Sequence, residues 1–237
     1  MGADAWAVHD LAMLRRQRGD DVIVLSIGES DIGTPPEIVD QAVEALRAGR
    51  TRYMPQAGTD ELREAIGRHI GALSQIEIAP ERVVFFPGAQ TALYAVCQVI
   101  LDAGDEVIVP EPSYVTYEAV VGSTGATIVN VPLPPEAGFH LDPDTVERAV
   151  GLRTRAVILT SPHNPTGAVM TRDELAAVGE ICRRHDLWLV CDEVYAELTF
   201  EVEHVGVLSL TDIAERVVSV SSLSKSHSMT GWRAGWA

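Results

Sequence analysis

Val217-Val-Ser-Val-Ser-Ser222-Leu-Ser-Lys225-Ser-His-Ser-Met-Thr-Gly-Trp-Arg233 joins a short apolar run to one lysine set among hydroxyl residues, with an arginine eight positions later. An apolar run of that length, ending in small polar residues, reads as a buried strand that opens into a loop. Five similar runs precede it: Val83–Phe86, Glu106–Val109, Ala126–Val131, Ala156–Leu159 and Leu187–Cys191. Helical patterns lie between them. Gly88-Ala-Gln90 leads into an apolar face of Ala92, Leu93, Val96, Val99 and Ile100, and Asp142-Pro143 opens a helix running to Val150. Thr171-Arg-Asp-Glu174 is a capping box ahead of Leu175, Val178, Ile181 and Cys182. Short apolar strands alternating with helices predict an α/β chain: a mostly parallel central sheet with helices on both faces.

Upstream of the alternation, Trp6, Val8, Leu11 and Leu14 mark an amphipathic segment, followed by an apolar run, Val22–Ile27, and a turn-rich stretch, Gly28–Gly33. Thr34-Pro-Pro-Glu37 predicts a helix start with Thr34 as cap, a buried stripe of Ile38, Ala42, Ala45 and Leu46, and an end at Gly49. Thr59 opens a further helix with Leu62, Ile66, Ile70 and Leu73 on its apolar face.

In open parallel sheets, ligands bind beyond the carboxyl ends of the strands. The residues just past each run are therefore informative. Gly88-Ala-Gln90, Glu111-Pro-Ser-Tyr114, Ser161-Pro-His-Asn164-Pro-Thr-Gly167, Asp192-Glu-Val-Tyr195 and Ser222 with Lys225 all fall on one rim. Only the run Ala126–Val131 offers nothing polar at its end, which suits a strand at the sheet edge. Lys225 admits two readings: a solvated lysine in a Ser-rich loop, or an amine that forms an imine with an aldehyde cofactor. Pyridoxal phosphate would also bring a phosphate for Arg233, Ser222 and exposed backbone N–H groups.

Composition narrows the choice. Hydrophobic residues make up 46% and charged residues 22% of 237, enough for a sizeable core. A formal charge of −16 argues against a nucleic-acid or anionic-membrane partner. Cys97, Cys182 and Cys191 sit in apolar runs without metal-type spacing, so core thiols are expected and no metal site. No apolar stretch is of membrane-spanning length and no signal peptide is evident, so a cytoplasmic protein is expected. Nucleotide-binding glycine motifs are absent from the sequence.

The blocks Tyr53-Met-Pro-Gln-Ala-Gly-Thr59, Ser161–Gly167, Asp192–Tyr195, Ser222-Leu-Ser-Lys225 and Gly231-Trp-Arg233, in this order, resemble the class I/II aminotransferases, pyridoxal-phosphate enzymes of fold type I. Glu111–Val120 and Lys225–Arg233 look most like the arginine–pyruvate transaminases within that family. The resemblance implies that Lys225 is the Schiff-base lysine and the base that moves the substrate α-proton. It implies that Asp192 pairs with the pyridine nitrogen, that Asn164 and Tyr195 hydrogen-bond the phenolic oxygen, and that Tyr114 stacks on the ring. Phosphate contacts fall to Gly88, Ala89, Gln90, Ser222 and Arg233. Gly28 and Asn164 would lie near the substrate carboxylate, and Tyr53 would reach the neighbouring site of a homodimer. Amino-acid and 2-oxo-acid substrates are implied by the same resemblance, while Glu193 reads as structural, His163 as a loop residue and Glu29 and Asp31 as solvated turn residues.

Relatives of this kind continue past the strand at Gly235-Trp-Ala237, expected to run antiparallel to the rest, into a small domain that carries the substrate-carboxylate arginine. On that comparison residues 1–45 would belong with the small domain and 46–237 would form the cofactor-binding domain, the C-terminal small domain being absent. A C–S lyase of the same fold, or an inactive cofactor-binding fragment, shares nearly all these residues. Ser161–Pro162 and Asn164–Pro165 are candidates for cis peptide geometry.

Overall fold

The computed structural model describes residues 2–237, with side chains from residue 6 onward. In chain order its elements are α1 (Gly2–Gln17), α2 (Pro36–Arg47), α3 (Asp60–Ser74), β1 (Phe85–Phe86), α4 (Ala89–Ile100), β2 (Glu106–Glu111), α5 (Tyr117–Gly122) and β3 (Thr127–Pro132). Then come α6 (Pro143–Ala149), β4 (Thr154–Thr160), α7 (Arg172–His185), β5 (Trp188–Asp192), β6 (Val217–Ser222), α8 (Leu223–Ser226) and β7 (Gly235–Trp236).

One seven-stranded sheet has the order β1-β7-β6-β5-β4-β2-β3. Strands β2 to β6 pair parallel, while β7 is antiparallel to both β6 and β1. As expected, the run with no polar residue at its end, β3, forms an edge.

Alternation along the strands sends side chains to two cores. Val157 and Leu159 of β4 pack with Leu175, Val178 and Ile181 of α7 and Val146 of α6. Ala156 and Ile158 face the other way, with Leu93 and Cys97 of α4 and Tyr117 and Val121 of α5. Helices therefore cover both faces. A third cluster joins Ile66 and Ile70 of α3 to Val83 and Trp236.

Local chemistry sets the helix ends. The Thr171–Glu174 capping box forms reciprocally at α7, and Asp142 and Thr59 cap α6 and α3 through Asp144 N–H and Leu62 N–H. Gly67 and Gly71 of α3 lie against the Ile78 and Ile76 carbonyls, where an added Cβ would come within 2.7 and 2.6 Å. That close approach lets α3 turn back on the segment leading to β1.

The apolar run Val22–Ile27 is coil. Four expectations need correction. Thr34 does not cap α2: its hydroxyl donates to the Ser228 carbonyl at 2.7 Å and accepts from Trp232 Nε1 at 3.0 Å, so Pro35 occupies the cap position. The α2 stripe is not fully buried: Ile38, Ala42 and Ala45 are half-buried and Leu46 is 62% exposed. Val99 of α4 is exposed too, on the far side from Leu93 and Cys97. The first apolar run contracts to Phe85–Phe86, although Val83 is fully buried and Val84 pairs with Ala237 through two backbone hydrogen bonds.

Candidate active site

The carboxyl ends of β4, β5 and β6 open onto one cavity of about 570 Å³. Lys225, Asp192, Tyr195, Asn164, Tyr114, Ser222, Arg233, Ala89, Gln90 and Gly28 all line it. Gly88 abuts it through Arg233, since a Cβ on Gly88 would overlap the guanidinium. Tyr53 is the one candidate set apart: it stands fully exposed on the loop before α3.

Lys225 lies in α8, the short helix that caps the end of β6, where Ser222 Oγ accepts from Ser224 N–H. Its Nζ donates to the Gly28 carbonyl and sits 6.0 Å from the centre of the Tyr195 ring. Partial burial lowers its pKa, and the charge of Glu29 opposes that shift. Unprotonated amine is therefore more accessible here than at a solvated lysine. Lys225 is also the only lysine in the sequence, a fact that a residue count yields and motif reading passes over.

Asp192 ends β5. One carboxylate oxygen accepts from Val194 N–H at 3.2 Å and the other from the Tyr117 hydroxyl at 2.9 Å. Burial pushes its pKa up to about 6, with those two hydrogen bonds holding it down and the neighbouring Glu193 adding to the rise. Glu193 itself is structural, as expected: it accepts from His204 Nε2 at 2.9 Å, Val207 N–H at 2.8 Å and the Ser219 hydroxyl. Tyr195 is raised chiefly by burial, then by Tyr114 and Asp192, with the Asn164 side chain opposing.

The Arg233 guanidinium donates to the Thr230 carbonyl at 2.9 Å and lies against Gly88, which has φ +91°. That positive φ and the lack of a Cβ let the arginine approach the start of α4. The first N–H groups of a helix have no acceptor within it, so Ala89 and Gln90 present donors beside a guanidinium and the Ser222 hydroxyl. Gln90 is steadied by Thr116, whose hydroxyl donates to its side-chain carbonyl at 2.9 Å. Such a donor set suits a phosphate, and a half-buried carboxylate with an amine across the same cavity suits a pyridine nitrogen and an aldehyde. The residues fit pyridoxal phosphate. Peptide bonds Glu111–Pro112, Ser161–Pro162 and Asn164–Pro165 are cis.

A model of the family "Aminotransferase class I and II" matches residues 20–237. The chain belongs to that family. It is 48% identical over 235 residues to an arginine–pyruvate transaminase of Pseudomonas aeruginosa, covering 99% of this chain and 60% of that protein. It is 42% identical over 221 residues to an aspartate aminotransferase of Bacillus subtilis, covering 92% of this chain and 56% of that one. The solved structure of an aspartate aminotransferase from Thermus thermophilus with maleate superposes with a TM-score of 0.94 at 39% identity, covering 98% of this chain and 60% of the other. The chain thus spans about 60% of the length of these aminotransferases.

Sequence reasoning missed Tyr117, Thr160, Ser224 and Thr230, all of which line the cavity, as do Trp6, Leu25 and Ile27 from the N-terminal region. Tyr117 had a readable signal, an aromatic three residues after Tyr114. No helix of the described residues is long and apolar enough to cross a membrane, and no group of three or more His, Cys, Asp or Glu among them is placed to hold a metal. Burial raises the Cys97 and Cys182 thiols to about 11 and about 12, in keeping with core residues.

Proposed function

We propose that this chain holds pyridoxal phosphate on Lys225 and forms the cofactor-binding core of a transaminase. The observation that carries the reading is the meeting of Lys225, Asp192, Tyr195, Asn164 and Arg233 in one cavity. When bound, the cofactor supplies an electron sink for the carbanion left when the substrate α-proton departs. Lys225 would hold the cofactor through its aldehyde carbon, and its amine, when not so engaged, would be the base for the substrate α-proton. Asp192 keeps the ring nitrogen protonated by placing a negative charge beside it. Tyr195 and Asn164 would hydrogen-bond the phenolic oxygen, Tyr114 would cover the ring face, and Arg233, Ser222, Ala89 and Gln90 would hold the phosphate.

An L-amino acid donor and a 2-oxo-acid acceptor follow from family membership. Arginine and pyruvate are the pair we favour, supported by 48% identity to an arginine–pyruvate transaminase. We further propose a homodimer in which the exposed Tyr53 reaches the partner's phosphate site, and a division of the chain near residue 46 between a segment of the small domain and the cofactor-binding domain.

The test is the absorbance spectrum of the purified chain with pyridoxal phosphate, then borohydride reduction and peptide mapping. A visible band that reduction converts to a stable adduct on Lys225, lost in Lys225→Ala, is the expected result. With no second lysine in the sequence, an adduct at the N-terminal amine or none at all in folded protein overturns the reading.

A further inference from the structure

Asp192 is not held by its own loop alone. Across the cavity floor the Tyr117 hydroxyl, on the first turn of α5, lies 2.9 Å from Asp192 Oδ2 and 2.6 Å from Thr160 Oγ1 at the end of β4. Tyr117 is 2% exposed and belongs to the core beneath the sheet. Its ring also meets Tyr114 edge to face, with centroids 5.8 Å apart at 83°. One buried side chain therefore touches the residue assigned to the ring face and the residue assigned to the ring nitrogen.

We propose that Tyr117, with Thr160 behind it, is a positioning residue that keeps the Asp192 carboxylate ionised and aimed into the cofactor cavity; this rests on the function proposed above. The hydrogen-bond order carries the argument. An ionised carboxylate only accepts, so Tyr117 donates to Asp192 and Thr160 donates to Tyr117. If Asp192 took a proton and donated it, the phenol would turn to donate to Thr160, and the whole chain would reverse. Three elements, α5, β4 and β5, thus fix the carboxylate in one orientation and favour its charged form. A tyrosine retained only for packing has no need of a hydroxyl here, since Phe would fill the same core volume.

Other titratable groups around Asp192 do not replace this donor. Glu193 and Cys191 are its chain neighbours, and Tyr195 and Tyr114 line the same cavity; the hydrogen bonds its carboxylate accepts come from Tyr117 and Val194. Lys225 and Arg233 line the same cavity and are occupied with the Gly28 and Thr230 carbonyls.

Two readouts test the proposal, one without cofactor. In the unloaded chain, carbon NMR of the Asp192 carboxyl should show its titration midpoint rising by roughly 0.5–1 pH unit in Tyr117→Phe, because a hydrogen bond to the charged form is lost. In the loaded chain, the pH midpoint of the lysine-bound cofactor band should rise, because a less firmly protonated ring nitrogen draws less electron density from the linkage. Pyridoxal-phosphate affinity should fall about tenfold. Thr160→Val should move both midpoints the same way by less, and Thr160→Ser should leave them near the parent values. Urea unfolding confirms that each variant is folded. If the parent forms its Lys225 band and neither midpoint moves in Tyr117→Phe, this inference fails and the function stands. If the parent forms no band, both fail together.

Discussion

Helices α2 and α7 look alike in the sequence and end up differently in the structure. Each begins with Thr-x-x-Glu and carries an apolar stripe. At α7 the capping box forms and Leu175, Val178, Ile181 and Cys182 vanish into the core. At α2 the threonine is drawn away to Ser228 and Trp232, and no residue is buried. The contrast extends to whole regions, with α4–α7 closed over the sheet while Trp6, Leu11, Leu25 and Leu46 remain exposed. A sequence pattern specifies which face of a helix seeks burial. Whether burial is achieved depends on an element being there to receive it.

The sharpest way to break this comparison is to truncate one leucine on α7. Leu175 is 0% exposed and sits between Val157 and Leu159 of β4 and the neighbouring helix α6. Leu175→Ala should destabilise the chain by about 2–5 kcal/mol through lost burial and the cavity left behind. The midpoint of urea unfolding measures it, and a loss under about 1 kcal/mol would mean the core is not packed as described.

A second, smaller effect of opposite sign is expected where the closed region meets the site. The pKa of Asp192 is raised on folding, to about 6, so folding favours its protonated form. That is a cost to the unloaded chain: stability falls as pH rises from the unfolded carboxyl value through the folded one, and the cost is complete above it. Asp192→Asn should therefore stabilise the unloaded chain by about 1–2 kcal/mol at about pH 7.5 and by almost nothing at about pH 3.5, while weakening the hold on cofactor. Equal stability of both chains at the higher pH would show that Asp192 is solvated well enough to ionise freely. The site then would not be a place where stability yields to function.

The parts legible in the sequence are those fixed by local pattern plus one topological rule. Apolar runs named the strands, and the position of Asp192, Asn164, Ser222 and Lys225 just past those runs brought them to one rim, where the structure places them. Edge strand β3 came from the same rule. Tyr117 shows in the sequence only its spacing from Tyr114, and only the fold brings its hydroxyl to residues 43 and 75 positions away. Thr34 misled for the complementary reason. A capping residue and a residue tied to Ser228, 194 positions on, carry the same hydroxyl, and local sequence cannot tell which acceptor is nearer. Val99 and the α2 stripe show the limit of periodicity, which marks a face and is silent on its partner.

The smallest expected effect is the counterpart of the first. Leu46 occupies the same kind of stripe position on α2 as Leu175 does on α7, yet it is 62% exposed. Leu46→Ala removes little buried area and gains slightly in helix propensity, so stability should change by no more than about 0.5 kcal/mol. The same chain, buffer and denaturant as for Leu175→Ala make the two values directly comparable. A loss above about 1 kcal/mol for Leu46→Ala would show that α2 finds cover in solution. If that loss also grew with protein concentration, the cover would be a second copy of the chain, since only association makes unfolding depend on concentration. A difference of several-fold between the two leucines would establish that pattern and partner contribute separately to the burial of a helix in this fold.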